Sequence, residues 1–331
     1  MEASPIRFSS GDTRLGSAPV TVNDCVQLAA PALGTEDGTV TLPSTATRPV
    51  SLTAEEAAVI TAEIHRRRAE AERWLQTDPT SYLATTERHD FERRVVLTVG
   101  SGSAADVRID DPALHAQHLT VTALEDGFRI EAAAPAATFK IGDTVVRQGV
   151  LSSGFVELGR YRLRLSHQGF PAIVVLDREK VRLAGVVRPR YFPVDLSYRY
   201  VVPLTAAARA EPVVILSTRG HQRRALRAGW FDLEIAGTSC RVEAVRLLEP
   251  GVGDSAYGLY FRDLTTEHET YPVGRYLDPE ELPDGTYLID FNLAYNPACA
   301  FSPHYNCPIP TRENTLPIQI RAGEMTPEGA H

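Results

Sequence analysis

Apolar positions along the chain recur first at helical spacing and then, from Arg93 onward, at every second residue. Thr53 followed three residues later by Glu56 forms a capping box, so a helix starts there. The run AAVITAEIHRRRAEAERWLQ then places Val59, Ile60, Ile64, Ala71, Trp74 and Leu75 on one side, with Arg and Glu on the other. This predicts one amphipathic helix over residues 51–78. Arg66, Arg67 and Arg68 sit among Glu63, Glu70 and Glu72 and read as its solvated face.

After the helix the period falls to two. The segments VVLTVGS, DVRID, HLTVTALEDGFRIEA, TFKIGDTVV, GFVELGRYRLRLS and AIVVLD are separated by Gly, Asp and Pro, which predicts an antiparallel β-sandwich over 93–180. Asp126-Gly127 supplies the backbone freedom of a tight hairpin. Val187 to Val202, with its Arg-Pro and Phe-Pro steps, is an extended crossing segment. Beyond it PVVILSTRG, GWFDLEIAGTSCRVEAVRLL, GLYFRDLT, YPVGRYLD, TYLIDF and LPIQIRAGE read as further strands, giving a second antiparallel β unit over 185–325. The fold class is therefore mainly β. Residues 1–50 form a Ser/Thr/Pro/Gly-rich leader in which Pro19–Val22 and Thr39–Leu42 alternate like short strands.

Composition narrows the function. A length of 331 residues exceeds what one hydrophobic core usually supports. The 34 basic residues against 42 acidic give a net charge of −8, which argues against a nucleic-acid partner held by phosphate neutralisation. Apolar runs are too short to span a membrane, and the amino terminus lacks a signal-peptide pattern, so a soluble, cytoplasmic protein is expected. The four cysteines, Cys25, Cys240, Cys299 and Cys307, are too scattered for a secreted disulfide scaffold, and reduced thiols are expected.

Candidate chemistry concentrates between Gly285 and Asn314, where a short strand runs into a Pro- and Asn-rich loop too dense in polar groups for a mere connection. Three readings compete. Cys299, His304 and Cys307 form C-x4-H-x2-C, a possible three-ligand zinc set, with Cys240 or Asp290 as a fourth. Cys299 and Cys307 could instead pair as a disulfide or remain buried thiols pinning the loop. In the third, a metal-free pocket takes a small organic ligand. Asp290, Tyr295 and Glu313 then serve as acid/base or donor groups, and Arg275, Tyr276, Asn292, Asn296 and Asn314 bind the substrate. Against this, Asp, Asn and Glu in such loops commonly tie down their own backbone. No nucleophile elbow, metalloprotease helix, P-loop or dinucleotide fingerprint is present.

Two resemblances add to this. VGSGSAADVRIDDPALHAQHLTV with FKIGDTVV and FVELGRYRLRL, within about 93–177, resembles a forkhead-associated domain, a phosphothreonine reader. Ser101 stands where that family has its arginine and His115 where it has its serine, so phosphopeptide binding is not expected. YFPVDLSYRY, FRDLTTEHETYPVGRYLD, DFNLAYNPACAFSPHYNCPIPTREN and LPIQIRAGE resemble the bacterial and archaeal family known as domain of unknown function 1684, over 185–325 and back toward residue 53. That resemblance implies a helix, a β region and this terminal block, and no activity. The expectation is a small-molecule-binding protein, plausibly an enzyme working through the 285–314 loop. The alternatives are a non-enzymatic interaction module built on the sandwich and a zinc-dependent enzyme.

Overall fold

The computed structural model describes residue 47 and residues 49–183 and 187–329. The leader strands expected at Pro19–Val22 and Thr39–Leu42 lie outside the described residues. Among the described residues strand makes up 45% and helix 14%, so the protein is mainly β.

Helix α1 (Ala54–Thr77) begins as its sequence requires: the Thr53 side chain accepts from the Glu56 amide, and the Glu56 carboxylate accepts from the Thr53 amide at 2.8 Å. The helix buries Ile64, Arg68 and Leu75. The solvated reading of the arginine run thus holds only in part. Arg66 is exposed and paired with Glu63 and Glu70, whereas Arg68 turns inward. It donates to the carbonyls of Phe192 and Asn292 at 2.8 and 3.0 Å.

Eleven strands follow: β1 (Thr85–Asp90), β2 (Val96–Gly100), β3 (Val107–Arg108), β4 (Leu119–Leu124), β5 (Gly127–Ala132), β6 (Phe139–Ile141), β7 (Thr144–Val146), β8 (Gln148–Leu151), β9 (Gly154–Leu158), β10 (Tyr161–Ser166) and β11 (Ala172–Asp177). They form a five-stranded sheet, β3-β2-β4-β5-β8, and a six-stranded sheet, β1-β11-β10-β9-β6-β7. The alternate residues of both enclose one core, including Leu97, Val121 and Ile130 from the first and Val156, Leu163 and Val175 from the second. At the β4–β5 hairpin the positive φ falls on Gly127, the first residue of β5, not on the turn pair Glu125–Asp126. A Cβ at Gly127 would stand 2.3 Å from the Leu151 carbonyl oxygen, so close approach of the neighbouring strand requires the glycine. Strands β1 and β8 have no clear counterpart in the alternation.

A short helix α2 (Arg178–Leu183) leads to β12 (Arg188–Tyr191), β13 (Arg199–Pro203), β14 (Thr205–Leu216), β15 (Gln222–Ile235), β16 (Thr238–Leu247), β17 (Leu259–Phe261), β18 (Arg275–Leu277), β19 (Glu280–Glu281), β20 (Thr286–Asp290) and β21 (Glu324–Glu328). Strand β15 joins β14 to β16 and bends at a bulge, where the register slips between Arg227 and Gly229. Its first half sends Ala225 into a core shared with Leu75, Tyr260, Tyr276 and the loop residues Ala298–Phe301. Its second half sends Phe231, Leu233 and Ile235 into another, with Tyr200, Phe261 and Ile289.

The expected strand LPIQIRAGE is not one up to Gly323. Residues 316–323 form no strand ladder and bend at Pro317–Ile318, and β21 starts only at Glu324. Residues 262–264 bond the segment's backbone as far as Ile318, and Arg275 and Asp263 take over beyond that. The Arg275 guanidinium donates to the carbonyls of Ile320, Ala322 and Glu324 and to Asp263, and the Asp263 carboxylate accepts the Ile320 amide at 2.6 Å. Both side chains are essentially sealed from water.

Replacing Arg275 with methionine strands a buried carboxylate and three carbonyls. Breaking a buried ion pair from one side costs about 3–5 kcal/mol, so urea denaturation of Arg275→Met should show a loss of that order. A loss below about 1 kcal/mol, the scale of one ordinary hydrogen bond, would mean that the segment is held some other way.

Candidate functional site

A cavity of about 640 Å³ opens between α1 and the second β unit. Six of the chain's 12 tyrosines line it (Tyr82, Tyr191, Tyr257, Tyr260, Tyr287 and Tyr295), together with Trp74 and Phe301. The rings come from separate elements: Trp74 from the last turns of α1, Tyr82 from the short 3-10 turn that follows it, Tyr191 from the end of β12 and Tyr287 from β20. Edge contacts lock several of them in place, with Trp74–Tyr82 centroids 5.0 Å apart and Tyr260–Tyr276 at 4.7 Å.

One titratable group stands out on the wall. Glu324, the first residue of β21, lies directly across from Tyr191 in the β12–β21 pair. Burial pushes its carboxyl up from 4.5 to about 7, against the lowering pull of the Asn296 amide, Tyr191 and the Arg68 charge. The Asn296 amide donates to Glu324 Oε2 at 2.8 Å, and Asn296 Nδ2 donates to the Met325 carbonyl at 2.8 Å. Arg68 stacks over the Tyr191 ring, its guanidinium carbon 4.7 Å from the centroid. Around this carboxyl three buried polar atoms have no hydrogen-bond partner: Arg68 Nε, Tyr191 Oη and Asn296 Oδ1. Tyr191 is near enough to bias the Glu324 proton but makes no well-aligned hydrogen bond with it.

The residues expected from sequence divide into two sets. Asn292, Tyr295 and Asn296 line the cavity. The Tyr295 hydroxyl reaches toward Asp278 at 3.4 Å, and burial drives its phenol well above the ordinary range, so near neutral pH it is a donor and not a base. Asn292 spends its side chain holding Asp195, accepting its amide and donating to its carbonyl.

Asp290, Glu313, Arg275, Tyr276 and Asn314 are not among the residues lining the cavity. Asp290 caps the turn after β20, accepting the Asn292 amide at 3.0 Å, and pairs with Arg199 at 2.6 Å. Arg275 is spent on backbone carbonyls and on Asp263, and the Tyr276 hydroxyl donates to the Pro308 carbonyl. Asn314 ties the Glu243 and Tyr260 backbones together. Glu313 is exposed on the far part of the loop. The backbone-tying alternative therefore describes these positions.

The zinc reading finds no geometry: among the described residues no three His, Cys, Asp or Glu side chains are placed to share a metal ion. Cys299 and Cys307 do come together, the Cys299 amide donating to Cys307 Sγ at 3.3 Å, but as free thiols. His304 stays outside the pair, and its carbonyl accepts from Arg88.

Glu324, Arg68 and Trp74 were not singled out from sequence as site residues. Glu324 closes an apolar run, and only its position after Gly323, whose positive φ turns the chain beside the Phe291 and Ala294 carbonyls, marks it.

Glu324 ties stability to pH. Below about pH 4.5 its carboxyl is protonated in both the folded and unfolded chains and costs nothing. As pH rises toward about 7 the unfolded chain ionises it while the folded protein keeps the proton, so stability falls; above that the loss levels off. The total is roughly 3 kcal/mol. Denaturant titrations across this range should show wild type losing that much more than Glu324→Gln. Parallel pH dependences would show that the carboxyl ionises normally in the folded state.

Comparison with known proteins fits a unit defined by its carboxy-terminal half. No curated protein matches the chain. The solution NMR structure of an uncharacterized protein from Haloarcula marismortui is 33% identical over 42% of this chain and 76% of that one, with a TM-score of 0.35. The expected extension of the family back to residue 53 is not matched, so α1 stands outside the matched segment although it walls the cavity. Residues 188–325, which carry Glu324 and most of the aromatic lining, match the family described as "Protein of unknown function (DUF1684)".

Proposed function

We propose that the protein binds a small organic ligand in the cavity beneath α1 and acts on it by proton transfer, with Glu324 as the acid/base group. One observation carries this reading: a carboxyl poised near neutrality stands on the wall of a cavity whose 640 Å³ suits a small molecule. A group that exchanges protons close to working pH is the most effective general acid or base. Asn296 holds Oε2 through its backbone amide, so Oε1 is the oxygen that would exchange with the ligand. Tyr295, keeping its proton, serves as a hydrogen-bond donor. A reducing cytoplasm is the setting we favour, since Cys240, Cys299 and Cys307 are all buried free thiols.

The non-enzymatic alternative, docking through a forkhead-associated-like sandwich, has less support. The Ser101 hydroxyl, at the position of that family's arginine, is spent on the Leu114 carbonyl at 2.8 Å.

Ligand-observed NMR with a library of soluble fragments tests the cavity. Fragments that bind wild type should lose binding to Ala256→Trp, which fills the cavity from a half-buried position, while the melting temperature holds. Fragments bound equally by both proteins would place the site elsewhere. For any ligand so found, the pH dependence of binding or turnover should show a step near 7 that Glu324→Gln abolishes; the same step in both proteins would remove Glu324 from the role.

A further inference from the structure

The cavity wall around Glu324 holds more hydrogen-bonding capacity than the protein uses. Arg68 from α1, Tyr191 from β12, Asn296 from the loop after β20 and Glu324 from β21 all line the cavity. They are also tied to one another. Glu324 lies across from Tyr191 in the β12–β21 pair, the Asn296 amide holds its Oε2, and the Arg68 guanidinium covers the Tyr191 ring. Arg68 is 9% exposed and Asn296 2%, so bulk water does not serve them. Yet Arg68 Nε, Tyr191 Oη and Asn296 Oδ1 have no partner. Buried polar atoms are nearly always paired, and three orphans gathered about one carboxyl call for a group that the chain itself does not supply.

Their chemistry is mixed. Arg68 sends its two terminal nitrogens to the carbonyls of Phe192 and Asn292, which leaves Nε–H as a donor. Burial pushes the Tyr191 phenol far above its ordinary range, so it keeps its proton and donates as well. Asn296 Nδ2 donates to the Met325 carbonyl, which fixes the other end of that side chain as the oxygen, an acceptor. Glu324 Oε1, the oxygen that the Asn296 amide does not hold, is a fourth site. A carboxylate ligand would suit the two donors but set its charge against the Asn296 oxygen. An ammonium would suit the acceptors but meet the Arg68 charge. A hydroxyl, with one proton and two lone pairs, leaves one of the four sites unpaired. A primary carboxamide, with two lone pairs on oxygen and two protons on nitrogen, matches all of them.

We propose that the ligand carries a primary carboxamide whose oxygen accepts from Arg68 Nε and Tyr191 Oη and whose nitrogen donates to Asn296 Oδ1 and Glu324 Oε1, with an apolar body among the aromatic rings of the cavity. This rests on the cavity being the binding site, and it names the class of molecule that the site takes. Because the three orphan atoms are sealed in the free protein, the amide reaches them through the side-chain adjustment that commonly accompanies binding. The arrangement sets an amide N–H beside the carboxyl oxygen assigned to proton exchange.

Four soluble probes sharing a phenylpropyl body separate the outcomes in ligand-observed NMR titrations: 3-phenylpropanamide, 3-phenylpropan-1-ol, 3-phenylpropanoate and 3-phenylpropylamine. The amide should bind about tenfold tighter than each of the others. Tyr191→Phe removes one orphan hydroxyl and keeps the ring beneath Arg68. It should weaken the amide about fivefold and leave the melting temperature unchanged, since the hydroxyl has no partner to lose. An alcohol, carboxylate or amine that binds as tightly as the amide overturns the assignment, and so does an amide bound equally by wild type and Tyr191→Phe. A melting temperature several degrees lower in Tyr191→Phe also overturns it, because the hydroxyl is then spent on a buried water. No amide binding up to the millimolar range has the same force. The cavity reading survives each of these results as long as some fragment distinguishes wild type from Ala256→Trp, and falls with the assignment if none does.

Discussion

The buried pair of Arg275 and Asp263 is the constraint on which the carboxy-terminal half depends. Between Leu316 and Gly323 alternate residues are buried, and residues 262–264 pair with the backbone only as far as Ile318, whereas buried backbone beyond it still needs hydrogen bonds. Arg275 answers this with one planar group that reaches alternate carbonyls, at Ile320, Ala322 and Glu324, while Asp263 takes an amide from the same stretch. Burying two charges is expensive, and an apolar pair could pack as well. An apolar pair could not, however, satisfy three carbonyls. The ion pair thus extends the backbone pairing that residues 262–264 begin, and what it delivers is Glu324 at the point where the chain meets β12.

The surroundings of Glu324 follow from that delivery. Pairing β21 with β12 puts Tyr191 opposite the carboxyl, and α1 brings Arg68 over the Tyr191 ring. Arg68 is held by carbonyls of Phe192 and Asn292, one beside β12 and one after β20, so the helix is fixed to the same elements that frame the cavity. Burial holds the Glu324 proton on, while Asn296 first, and then Tyr191 and the Arg68 charge, pull it off. Burial wins, but narrowly enough to leave the group near neutrality. An acid/base site needs a balance of this kind, and neither effect alone would produce it.

Much of the β architecture was legible because alternation reports which face of a strand meets a core. Strands β2, β4, β5, β9 and β10 all carry that period, and their inward residues are the buried ones, whereas β11 is apolar throughout and buried at five successive positions. Strand β1 was not legible. Its sequence TTERHD has almost no apolar residue, and it forms because β11, rich in Ile, Val and Leu, offers it an edge. The run LPIQIRAGE misled in the opposite direction: its apolar residues do reach a core, but from Ile320 on two side chains, Arg275 and Asp263, take the place of a ladder. Local pattern registers burial and says little about which group closes the hydrogen bonds.

The same distinction separates the loop residues that reach the cavity from those that do not. Asp290, Asn314, Arg275 and Tyr276 have the chemistry of an active site, and each is consumed by backbone in a fold whose long loop has no strand of its own to pair with. A loop buried against a core must import donors and acceptors from side chains, so its richness in Asn, Asp and Tyr measures its unsatisfied backbone before it measures reactivity. Reactivity requires a polar group whose protonation burial has shifted and whose partners do not exhaust it. Among the residues around this cavity Glu324 meets that requirement, and it lies outside the polar stretch because a residue at the end of an apolar run is the one most readily carried into a low-dielectric wall.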